Sequence, residues 1–132
     1  MATRLLFLAA VLVPAFAGLT FAAVTDRHTN NGSYIFSVKP TPSVPVVGSN
    51  FLTLTIRDGS SGAAVEGATV KVVPWMTMHG HGSQKEAGVK EKGKGVYEVD
   101  NVYYSMEGSW DLLITIRKGD VEDSASVVVD VK

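Results

Sequence analysis

Trp110-Asp111-Leu112-Leu113-Ile114-Thr115-Ile116-Arg117 sets Trp110, Leu112, Ile114 and Ile116 in alternation with Asp111, Leu113, Thr115 and Arg117. A period of two is that of a strand with one buried face. After the Lys118-Gly119-Asp120 turn, Val121, Ala125, Val127, Val129 and Val131 share a face, with Asp123 the polar exception. Upstream, Leu52, Leu54 and Ile56 alternate with Thr53, Thr55 and Arg57. Ala68, Val70 and Val72 form a further row, which Pro74 is expected to end. Shorter strands are predicted at 34–38, 87–91 and 96–99. The first of these leads into Pro40, Pro42 and Pro45, which suit an edge or a crossing segment. No stretch after residue 24 has helical periodicity. About seven short strands joined by Gly-rich turns predict an all-β fold, an immunoglobulin-like β-sandwich. Its expected core is Leu52, Leu54, Ile56, Val70, Val72, Trp110, Leu112, Ile114 and the valine row 127–131.

A chain of 132 residues has room for one such core. Twelve Lys and Arg against 13 Asp and Glu leave a net charge of −1, which gives no basic field for nucleic acid or an anionic membrane. Without cysteine there is no disulfide framework, thiolate metal site or Cys nucleophile. Arg4 followed by the apolar run 5–13, with Ala15-Phe16-Ala17 and Thr20-Phe21-Ala22 beyond it, reads as an export signal with two acceptable cleavage sites. The expected division is a signal peptide at 1–23, a linker at 24–33 and the sandwich at 34–132. The alternative for residues 5–24 is a retained membrane anchor. Either way the folded part is expected in the periplasm or the secreted fraction.

The chemistry is concentrated in Trp75-Met76-Thr77-Met78-His79-Gly80-His81. Thioethers are neutral, polarisable donors that suit Cu(I), and imidazole adds a borderline donor. A Cys-free group of Met and His therefore points to copper, with Cu(I) the expected state, over a structural zinc cage. In extended backbone Met76 and Met78 share one face and His79 and His81 share another. Gly80 and Gly82 permit the turn that would bring them together. Trp75 is the candidate cover, since an indole face attracts a cation. Met106, in the loop leading into the Trp110 strand, is the candidate third thioether. Core packing is the competing role for any methionine. No Gly-x-Ser-x-Gly elbow, His-Glu-x-x-His or phosphate loop occurs, so no catalytic residues are expected and the chain does not read as an enzyme.

Gly67-Ala68-Thr69-Val70-Lys71-Val72, the Met/His loop, Gly95-Val96-Tyr97 and Ser105-Met106-Glu107-Gly108-Ser109-Trp110-Asp111-Leu112 together resemble the YtkA-like domain family, which is related to the FixH proteins. The resemblance implies an exported or membrane-anchored immunoglobulin-like module of the kind associated with copper handling or oxidase assembly. The Met–His pattern is also similar in chemistry, though not in fold, to periplasmic Cu(I) chaperones that use methionines, a histidine and a capping Trp. The expected role is a copper carrier that passes its ion to an envelope protein. The alternative is a metal-free interaction module that docks through the same loop.

Overall fold

The two strands β8 (Gly108–Lys118) and β9 (Val121–Val131) pair over their whole length, Gly108 opposite Val131 and Lys118 opposite Val121. The computed structural model describes residues 24–132, so the expected signal peptide or anchor lies outside the described residues. Among these, seven further strands complete the fold. They are β1 (Arg27–His28), β2 (Tyr34–Thr41), β3 (Gly48–Asp58), β4 (Thr69–Met76), β5 (His81–Gly82), β6 (Gly88–Gly93) and β7 (Val96–Tyr104). All pairings are antiparallel. One sheet has the order β1-β2-β3-β7-β6 and the other β5-β4-β8-β9. No described helix is long and apolar enough to cross a membrane.

The two inner faces meet in one apolar cluster. Leu52, Leu54, Ile56, Tyr97 and Val99 come from the first sheet, and Val70, Val72, Trp110, Leu112, Ile114 and Ile116 from the second. This is the β-sandwich that the alternating rows require. The expected core residues are buried apart from Val128 and Val129, since Val128 points outward and Val129 is half-buried. Tyrosine hydroxyls pin the periphery. The Tyr97 hydroxyl donates to the Val65 carbonyl at 2.8 Å and accepts from the Ala68 N–H at 3.1 Å. The Tyr34 hydroxyl donates to the Val121 carbonyl at 2.6 Å and accepts from the Lys118 N–H at 3.0 Å.

Two expectations need correction. Pro74 does not end its strand: β4 continues through it to Met76. The Pro74 carbonyl accepts from the Ser83 N–H, away from β8. Its ring nitrogen faces the same way, so the missing N–H removes no bond between β4 and β8. Residues 24–33 are not a linker throughout. Arg27 and His28 pair with Phe36 and Ile35, Thr29 is buried, and the Asn30 N–H donates to the Ser124 carbonyl. The polar composition that suggested a linker serves Asp123, the exception in the β9 row. Asp123 is only 4% exposed and accepts from Thr29, Asn31, Ser33 and Ser124. Val121, outside the expected core, sits at the exposed start of β9.

Candidate metal centre

Because β4 runs antiparallel to β8, with Trp75 opposite Asp111, the end of β4 lies beside the start of β8. The loop from β7 to β8, which carries Met106, is therefore at the same end of the sandwich as the Met/His segment. That segment is a hairpin. Met76 pairs with His81 and Trp75 with Gly82. The Met76 carbonyl accepts from the His79 and Gly80 N–H groups at 3.2 and 2.9 Å. The turn closes through Gly80 at φ 64°, a left-handed conformation that glycine adopts without strain. A further tether fixes it to β8: the Thr77 hydroxyl donates to Asp111 Oδ2 at 2.5 Å.

Directly opposed residues in an antiparallel pair project to the same face. Met76 and His81 thus share the inner face. Met76 is 2% exposed and belongs to the core cluster, with its terminal methyl packed at Gly108, where a Cβ would lie 3.1 Å from it. His81 sits edge-on to Trp110, ring centroids 5.5 Å apart. His79 stacks on His81 at 5.9 Å with an interplanar angle of 29°. The Trp110 indole N–H donates to the Met106 carbonyl at 3.0 Å, which ties the Met106 loop to the ring that His81 touches. Met106 is 39% exposed and Met78, at the crest of the turn, is 87% exposed. His28 is exposed on β1.

The structure brings Met76, His79, His81 and the Met106 loop to one end and leaves Met78 projecting from it. Trp75 is placed elsewhere. The pleat turns it to the outer face of the sheet, where its ring packs on Gly82. The indole beside the histidines is Trp110, whose strand alternation marked it only as core. The signal that could have found it was the antiparallel register of β4 on β8, which puts Trp110 at the end of β4. Trp110 also stands edge-on to Tyr104 at 5.4 Å. The Tyr104 hydroxyl is buried without a hydrogen-bond partner among the described residues, and burial raises its pKa above the usual phenol value.

The donor chemistry here is soft. Among the described residues no group of three or more His, Cys, Asp or Glu is placed to hold a metal ion, so a hard or purely imidazole–carboxylate cage does not form. The two imidazoles stack at this end of the sandwich, and the three methionine positions flank them on a scaffold tied by Thr77–Asp111 and Trp110–Met106. Such donors bind Cu(I) without deprotonation of the thioethers.

No curated protein matches the chain. The model of the family described as YtkA-like matches residues 28–115, from within β1 into β8, a span that takes in the Met/His hairpin and the Met106 loop. With two thirds of its length matched, the chain belongs to the YtkA-like family.

Proposed function

We propose that this YtkA-like protein is an exported copper carrier that holds Cu(I) at the Met/His end of its sandwich. The carrier passes the ion by ligand exchange to an envelope protein. The observation that supports this reading most is the packing of His79 on His81 and of His81 on Trp110. The three thioethers of the described residues, Met76, Met78 and Met106, stand at that same end. Met78 and the two histidines are the accessible donors, Met106 the flanking one and Met76 the donor at the base. Trp110 takes the covering role that an indole can serve beside a cation. Transfer of the ion, not catalysis, is the proposed activity.

The test is a competition titration of Cu(I) against a chromophoric chelator. Binding of one ion per chain, weakened by about tenfold or more in Met78→Leu and Met106→Leu, is expected from removal of soft donors at nearly constant volume. A chain that does not compete for Cu(I) at all contradicts the proposal. The alternative, a metal-free docking module, draws support from the exposure of Met78 and of Trp75 (37%). That reading is favoured if the leucine variants leave a partner complex intact.

A further inference from the structure

The three thioethers of one site differ widely in access to solvent, and oxidants reach sulfur through solvent. Met78 projects from the crest of a turn held by the Met76 carbonyl and by the Thr77–Asp111 bond, so its side chain is offered to solvent on a fixed support. Met106 is intermediate. Met76 is enclosed by the core with its methyl against Gly108. The chain has no cysteine to take up oxidant first. We propose that Met78 is a modification site, converted to the sulfoxide by peroxide while Met76 is spared, and that this single step disarms the metal centre. The second half of the proposal rests on the copper reading above, and the first half stands without it.

The step balances as an oxygen transfer. The Met78 sulfur attacks one oxygen of hydrogen peroxide, an S–O bond forms and the O–O bond breaks. Sulfur gives up two electrons and the second oxygen leaves as water. The product replaces a soft, flexible thioether with a polar group whose oxygen is a hard donor, a poor match for Cu(I).

The experiment treats the full chain with hydrogen peroxide and follows each methionine by tandem mass spectrometry, then titrates the singly oxidised protein with Cu(I) against a chelator. Met78 sulfoxide is expected to form at least about tenfold faster than Met76 sulfoxide, with Met106 between them. Equal rates at Met78 and Met76 would overturn the modification site. Oxidation at Met78 alone is expected to weaken Cu(I) binding by about tenfold or more. Met78→Leu should bind as weakly as the oxidised protein and not respond further to mild peroxide. Unchanged affinity after Met78 oxidation would overturn the disarming step. Failure of the untreated chain to bind Cu(I) would overturn the copper reading and that step with it, while leaving the order of oxidation as a separate result. Far-UV circular dichroism of the oxidised protein separates these effects from unfolding.

Discussion

Replacing Asp123 by Asn tests how the N-terminal segment is fastened to the sandwich. Burial alone would push this carboxyl up, yet hydrogen bonds from Thr29, Ser124, Ser33 and Asn31 outweigh it and hold the pKa at about 2, against an ordinary 3.8. Each pH unit of such a difference is worth about 1.4 kcal/mol, so the ionised carboxylate contributes roughly 2 kcal/mol to folding. The groups around it are all donors: the Thr29 hydroxyl at 2.6 Å, the Asn31 N–H at 3.0 Å, the Asn31 amide at 3.1 Å, the Ser33 N–H at 3.2 Å and the Ser124 N–H at 2.9 Å. An Asn there turns an NH2 group toward donors and forfeits the charge. Asp123→Asn should therefore lower stability by about 2–3 kcal/mol near neutral pH, with an unchanged urea m-value. Because the folded pKa lies below the unfolded one, this stabilisation is complete above about pH 4 and is lost as pH falls through about 2. The gap between the parent chain and the variant should close over that range. Urea unfolding followed by tryptophan fluorescence at several pH values measures both effects. Equal midpoints near neutrality, or a gap that persists unchanged in acid, would refute the reasoning.

Five further substitutions, at four positions, probe packing, hydrogen bonding and backbone strain. Met76→Ala should cost about 3 kcal/mol by opening a cavity against Gly108, and Met76→Leu less than about 1.5 kcal/mol, both read from denaturant unfolding. Met78→Ala should leave stability within about 0.5 kcal/mol, since its side chain packs on little. Tyr97→Phe should cost about 1–2 kcal/mol by orphaning the Val65 carbonyl and the Ala68 N–H, again by unfolding midpoint. Gly95→Ala should cost about 2 kcal/mol or more, because φ is 77° and the new Cβ would lie 2.5 Å from the Ile56 carbonyl oxygen; a thermal melt checks it.

The fold was legible because period-two rows with one buried face leave few alternatives to a pair of packed sheets. Leu52, Leu54, Ile56 and the Trp110–Ile116 row lie where that logic puts them. Local rules misled where tertiary pairing decided. Proline ends strands on average, but the Pro74 nitrogen faces away from β8, so nothing opposed its place in β4. A polar run usually marks a loose terminus, yet Thr29, Asn31 and Ser33 answer a buried carboxylate about ninety positions away in the chain. At the candidate site, composition identified the Met/His hairpin. Which side chains share a face depended on the β4–β5 register, and that register separates Trp75 from Met76 and sets Trp110 beside His81. The expectation of a covering indole had fallen on Trp75, whereas the indole that packs against His81 is Trp110. Choosing between the two tryptophans required the antiparallel match of β4 to β8.

X-ray absorption at the copper K-edge of the Cu(I)-loaded chain tests the central claim most directly. A copper shell of mixed sulfur and nitrogen donors is predicted for the parent protein, with the sulfur contribution reduced in Met78→Leu and the nitrogen contribution reduced in His81→Gln. A shell of nitrogen and oxygen alone, or one that neither substitution alters, would contradict a Met/His centre at this end of the sandwich.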